Sequence, residues 1–320
     1  MRQALNGARI LITGGAGFIG SHLADRLQAE GAACVIILDN LFLGKASNIE
    51  NALKRGAVFV QDDAEIEGVL EYLLHTYSVD IVFNCATKAL NYSFVNPSNA
   101  FMTNATVISR LLELQRRNLL KTLCHFSSSE AYGTAAYEPM DENHPFNATT
   151  TYAAGKAAAD LMLRSYVNQY GLDAFIVRPF NNYGPRQNYE GALAGIIPST
   201  TRRILRGEPP EIYGTGEQSR DFIYVMDTVD AVVRLYDRIP KGEVVNVAAH
   251  GQISMNELVS KIIQLMKYTG EVKRGPARDA DVQCHNASNA KMESLIEPRY
   301  TSFDEGLRET LAWYKRAIRL

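Results

Sequence analysis

The chain has 320 residues, with 33 Lys and Arg against 35 Asp and Glu, a formal charge of -2. That balance excludes a nucleic-acid binder held by basic charge and an acidic solvating tail, and the length suits one large α/β domain or two unequal lobes. No apolar run reaches the length of a membrane span, and TGGAGFIG interrupts the N-terminal apolar stretch where a secretory leader needs its cleavage region. A cytoplasmic protein with a small-molecule partner, and with no membrane or nucleic-acid contact, is expected.

In chain order, RILIT (9–13) reads as a strand, 18–30 as a helix, ACVIILD (33–39) as a strand and AVFVQ (57–61) as another. A helix from about 65 precedes the strand DIVFNCA (80–86). Pro97 opens a long helix to about 117, KTLCHFSS (121–128) follows, and a second long helix spans 149–170 before DAFIVRP (173–179). Strands apolar throughout, separated by helices, predict a doubly wound parallel sheet of Rossmann type, covered on both faces. Residues 180–216 are richer in Pro, Gly and Asn, and shorter elements are expected in the final third. Residues 1–178 are therefore expected to form the dinucleotide-binding domain, with 221–248 returning to it, and 179–320 a smaller C-terminal α/β substrate-binding lobe over the strand ends. Cys34, Cys85, Cys124 and Cys284 are far apart, without the paired spacing of a zinc site or redox dithiol, and no metal site is expected.

TGGAGFIG joins the first strand to the first helix. Gly15, Gly17 and Gly20 satisfy G-x-G-x-x-G, and Gly14, Gly17 and Gly20 satisfy G-x-x-G-x-x-G. Glycines permit a tight turn and close approach of a pyrophosphate, to which Phe18 and Ile19 in the first helical turn offer N–H groups. Asp39 ends the next strand about twenty residues later, where a carboxylate accepts hydrogen bonds from an adenosine ribose. Asn40 follows, and no Arg or Lys occurs before Lys45, so NAD is favoured over NADP.

FSSSEAYG (126–133) ends a buried strand in hydroxyls and one carboxylate. Alone it is a polar loop. Downstream, TYAAGK places Tyr152 and Lys156 four apart on one helical face. A free tyrosine, with a pKa near ~10, is a weak base at neutral pH unless a cation stabilises its phenolate, and Lys156 is placed to do so.

Together TGGAGFIGSHL, SSSEAYG, YAAGK, RPFNNYGPRQ and GTGEQSRDFIYVMD resemble the extended short-chain dehydrogenase/reductases that act on nucleotide sugars. The resemblance implies that Tyr152 removes the proton of a sugar 4-hydroxyl while the 4-hydrogen leaves as hydride. It also implies that Lys156 binds the nicotinamide ribose, Ser128 holds the 4-oxygen and Asp62 contacts adenine. Asn181, Arg220 and Arg278 match positions that hold the nucleotide diphosphate, and Arg186 falls near the sugar. The two long helices match those that pair subunits through a four-helix bundle, so a homodimer is implied.

Glu130 and Ser129 bear on which reaction follows. A 4-ketone acidifies the hydrogen on carbon 5, and a carboxylate at 130 as its base implies loss of water across carbons 5 and 6, a 4,6-dehydration without net use of NAD. Ser129 stands where the best-studied dehydratases have an aspartic acid, although others of the family carry Ser-Glu. A 4-epimerase is the rival reading, followed by a decarboxylase of a nucleotide uronate, for which Gln283 replaces the expected arginine. A non-catalytic dinucleotide-binding protein is a further alternative that the intact Ser128, Tyr152 and Lys156 set opposes. Gly155, where the family usually has serine, and Asn84, where histidine is common, are departures outside the chemistry.

Overall fold

The structure is a computed structural model that describes residues 2–277 and 284–318. The first part runs β1 (Arg9–Thr13), α1 (Phe18–Ala29), β2 (Cys34–Asp39), α2 (Glu50–Lys54), β3 (Val58–Gln61), α3 (Val69–Thr76) and β4 (Ile81–Asn84). It continues with α4 (Pro97–Arg116), β5 (Thr122–Phe126), α5 (Thr151–Tyr170) and β6 (Asp173–Pro179). The remainder comprises β7 (Asn181–Tyr183), α6 (Ile196–Leu205), β8 (Glu211–Tyr213), β9 (Ser219–Tyr224), α7 (Val225–Leu235), β10 (Val244–Val247) and β11 (Gln252–Ser254). Then follow α8 (Met255–Met266), β12 (Lys273–Gly275), β13 (Cys284–His285), α9 (Ala290–Leu295) and α10 (Phe303–Ala317).

Seven strands form one parallel sheet in the order β10-β6-β5-β4-β1-β2-β3. The chain runs outward in both directions from β1, so β1 and β4 flank the switch point at which such sheets bind ligands. Successive side chains on a strand enter opposite cores. Ile10 and Ile12 pack with α1 and α7, and Leu11 packs with α4 and α5. This double burial is why the strands read as unbroken apolar runs.

The long helices begin where their caps dictate. Asn96 Oδ1 accepts the Asn99 N–H at 3.1 Å beside Pro97 in the first turn of α4, and Thr150 Oγ1 accepts the Ala153 N–H at 3.2 Å at α5. The helix expected from about 65 starts later, at Val69, because Gly68 adopts φ +86° in the left-handed region.

The final third differs from its expectation: its strands are short, but α7, α8 and α10 have 11, 12 and 15 residues. Leu258 and Ile262 of α8 meet Leu307, Leu311 and Tyr314 of α10 in a core of their own. There β9 pairs with β7, β11 and β13, and β12 pairs with β8. By contrast α7 packs on the main sheet layer and β10 pairs with β6, so the chain crosses back after β9. Among the described residues no helix is long and apolar enough to cross a membrane.

Candidate active site

The glycine loop lies at the carboxyl end of β1. Gly14 has φ +67°, and a Cβ there would come within 2.8 Å of the Cys85 carbonyl oxygen, so a side chain would fill the cradle that leads to the first turn of α1. Gly14, Gly17, Phe18, Ile19, Gly20, Asp39, Asn40 and Asp62 line one chamber, whose far end is formed by Ser128, Tyr152 and Lys156. Asp39 is buried, and its carboxylate accepts the Ala16 N–H at 2.9 Å and the Leu41 N–H at 2.8 Å. Burial raises its pKa, and those backbone donors oppose the shift. The nearest downstream cation is engaged elsewhere: Lys45 pairs with Glu190 at 2.7 Å and lies 3.8 Å from the Tyr189 ring centroid. A cradle without side chains, a helix N-terminus and a buried acceptor fit NAD.

Tyr152 and Lys156 occupy successive turns at the start of α5. Burial dominates the phenol and pushes its pKa up to about 12; the hydrogen bonds from Ser128 and Thr87 pull it down, while the charge of Glu130 pushes it up. Burial likewise pulls Lys156 down to about 8, opposed by Asp160. Lys156 Nζ donates to the Phe126 carbonyl at 2.7 Å and lies 6.0 Å from the Tyr152 ring centroid. The carbonyl at the end of β5 therefore holds the Lys156 ammonium within reach of the Tyr152 ring.

Asn84 has a structural place. Thr13 Oγ1 donates to Asn84 Oδ1 at 2.7 Å, which leaves Asn84 Nδ2 to donate to His125 Nδ1 at 3.1 Å. The three residues are register neighbours on β1, β4 and β5, and the arrangement puts the neutral His125 proton on Nε2. Gly155 has one too: a Cβ there would come within 2.8 Å of the Phe101 carbonyl, so glycine lets α4 and α5 pack closely.

A second chamber opens from the first across Ser128 and Tyr152 and is lined by Ser129, Glu130, Asn181 and Arg220. Sequence reasoning brought these groups together by resemblance. It did not single out Arg202, Arg203 and Tyr213, which line the same chamber, because they lie on α6 and β8 with no motif spacing to mark them. Nor did it find Thr87 or Lys88. Lys88 is buried in the first chamber, 3.4 Å from Glu65 and 4.5 Å from the Phe42 ring centroid. A lone lysine after a strand carries no sequence signal. Arg186 requires a correction: it turns away from both chambers, pairs with Asp25 at 2.8 Å and borders a separate hollow beside Tyr189 and Trp313. Arg278 and Gln283 lie outside the described residues.

A Rossmann sheet whose nucleotide chamber ends in a serine, a tyrosine and a lysine defines a nicotinamide-dependent enzyme of the short-chain dehydrogenase/reductase class. Residues 10–248 match the NAD dependent epimerase/dehydratase family, and the chain belongs to it. It is 32% identical over 312 residues to a UDP-glucose 4-epimerase of Mycolicibacterium smegmatis, covering 96% of this chain and 98% of that protein. A crystal structure of UDP-glucose 4-epimerase with UDP-glucose from Thermotoga maritima aligns with a TM-score of 0.90 at 31% identity, covering 97% of this chain and 100% of that one. The dTDP-glucose 4,6-dehydratase DesIV from Streptomyces venezuelae, with NAD bound, aligns with a TM-score of 0.90 at 28% identity over 96% and 97% of the two chains. The protein is an NAD-dependent enzyme.

Proposed function

We propose that the protein is a cytoplasmic 4,6-dehydratase of a nucleoside-diphosphate hexose, of the UDP-N-acetylglucosamine, UDP-glucose or dTDP-glucose kind. The observation that carries this is Glu130, which shares the wall of the second chamber with Ser128 and Tyr152 and whose charge is felt by the Tyr152 phenol. Residues 1–178 supply the cofactor side. Residues 179–320 supply Asn181 and Arg220, which face the chamber where charge-assisted donors suit a diphosphate.

Bound NAD supplies a hydride acceptor for carbon 4 and the same hydride for return to carbon 6. Tyr152 takes the proton of the 4-hydroxyl, and Ser128, its hydrogen-bond partner, holds that oxygen. Lys156, fixed on the Phe126 carbonyl, presents its remaining N–H groups to the ribose side and its charge to the developing phenolate. Once carbon 4 is a ketone, Glu130 removes the acidified proton from carbon 5 and passes it to the 6-hydroxyl, which departs as water; carbon 5 regains a proton from solvent as carbon 6 is reduced, and Tyr152 releases the one it took.

A specific observation favours 4-epimerisation as a second reading. Ser129 is 2% exposed and offers no carboxylic acid to protonate a departing 6-hydroxyl. The test is the product mass after incubation with NAD and UDP-glucose, UDP-N-acetylglucosamine, UDP-glucuronate, dTDP-glucose or GDP-mannose. Loss of one water supports the dehydratase, and Glu130→Gln should then abolish that loss. An unchanged mass with a new stereoisomer makes the protein an epimerase, and loss of carbon dioxide makes it a decarboxylase.

The homodimer is part of the proposal. Phe94 and Val95 before α4, Met102 on α4 and Leu161 on α5 are exposed apolar side chains on the helix pair that Gly155 draws together. Sedimentation should give a dimer for the wild type and a monomer for Leu161→Glu; a wild-type monomer defeats this part of the reading.

A further inference from the structure

The arc that carries Ser128, Ser129 and Glu130 is tied at both ends to one buried ion pair. Asp160 on α5 is 0% exposed and Arg178 on β6 is 1% exposed, and they meet at 2.6 Å. Ser127, just before the arc, donates its hydroxyl to the same Asp160 oxygen, Oδ2, at 2.6 Å. Tyr132, just after Ala131, accepts a hydrogen bond from Arg178 Nη1, and its ring centroid lies 4.3 Å from the guanidinium. The Tyr132 hydroxyl then donates to Asn246 Oδ1 on β10 at 2.9 Å. Asp160 also stands one helical turn beyond Lys156 and two beyond Tyr152. One ion pair thus joins the helix of the phenol and ammonium, the arc of the serines and glutamate, and two strands of the sheet.

Stability alone is a poor reason for such a pair, because withdrawing both charges from water largely offsets their attraction and apolar side chains can fill the same space as well. What apolar side chains cannot do is fix directions at several hydrogen-bonding atoms at once. We propose that Asp160 and Arg178 are positioning residues which hold the arc 128–130 in register with Tyr152 and Lys156, so that the Ser128 oxygen and the Glu130 carboxylate meet the same sugar. The inference rests on the roles proposed above for Ser128, Glu130 and Tyr152.

Removing either charge leaves the other buried and unpaired, so Asp160→Asn and Arg178→Met are poor first tests. Ser127→Ala and Tyr132→Phe remove one tie each and leave the ion pair intact. In NAD-loaded protein, hydrogen exchange of the amides at 128–133 should speed up in both variants, a measurement that needs no substrate. With whichever sugar of the panel above the wild type turns over, kcat should fall about ten- to a hundredfold, the scale of a misplaced reacting group, while KM and NAD content stay within about twofold. Unchanged exchange in both variants overturns the proposal. So does faster exchange with an intact kcat, since the pair would then be only a brace of the fold. Should the wild type turn over none of the panel, the proposed function fails, and exchange alone decides whether the ion pair holds the arc.

Discussion

On the cofactor side of the cleft the chamber is built from the carboxyl ends of neighbouring parallel strands: the glycine loop after β1, Asp39 at the end of β2, Asp62 after β3 and Thr87 and Lys88 after β4. On the sugar side the wall comes from an arc after β5, from β7, α6, β8 and β9, and from no repeating unit. The first construction needs only that a strand end and a helix begin, so its chemistry is backbone N–H groups and side chains set at successive strand ends. The second needs side chains from distant segments held at fixed angles, among them Glu130, Arg202, Arg203 and Arg220.

The largest expected effect separates the two sides. Tyr152→Phe should cut turnover by about 10²–10⁴-fold, the usual worth of a general base, while NAD affinity stays near that of the wild type. Calorimetric titration with NAD beside a turnover assay checks both halves. Loss of NAD binding would mean that the phenol serves chiefly as a cofactor contact, and unchanged turnover would remove the proposed chemistry altogether.

A pH profile sharpens the comparison next, because Lys156 stands where the chambers meet. Burial lowers its affinity for a proton, to a pKa of about 8. It serves as a cation only below that value, while the base form of Tyr152, whose pKa is pushed up to about 12, gains with rising pH, so kcat/KM, which reports the free enzyme, should climb to about pH 8 and level off above it. Lys156→Arg, charged throughout, should go on climbing above pH 8. A wild-type profile that climbs unbroken to pH 10 would show that the charge of Lys156 is not required.

The same contrast explains what was legible in the sequence. The glycine loop, Asp39 and the Tyr152–Lys156 pair are local patterns, each within one turn or one helix, and their spacing carries their geometry. The period-two division of Ile10, Leu11 and Ile12 between two cores is invisible in a run apolar throughout, yet such a run still identifies a doubly covered strand. Asp160 reads as one polar residue on a long helix, and only the register of β5 beside β6 brings it to Arg178 and Ser127. The long helices of the final third carried their own 3.6-residue signal at Leu258, Ile262, Leu307 and Leu311, although shorter elements were expected there.

Gly155→Ser, which installs the usual family residue, probes the frame beneath both sides. Its Cβ would meet the Phe101 carbonyl at 2.8 Å and the Phe101 Cα at 3.1 Å, so α4 and α5 must separate. Overpacking of this kind costs ~1–3 kcal/mol, read as a lower Tm with NAD affinity retained. An unchanged Tm would show that the helices part without penalty.

The smallest expected effect belongs to Arg186. Its neighbours in RPFNNYGPRQ include Asn181 on the chamber wall, but the backbone at Arg186 has φ +68° and its guanidinium is aimed at Asp25 on α1. Arg186 and Asp25 are only 14% and 21% exposed, and neither lines the chamber of the sugar. Arg186→Gln should therefore leave KM for the nucleotide sugar within about twofold of the wild type, while the Asp25 carboxylate left without its partner lowers Tm. A tenfold rise in KM would bring the arginine back to the sugar, which requires the 184–190 turn to reverse when substrate binds. That outcome would make the sugar side a surface that forms on binding, in contrast to a cofactor side already built.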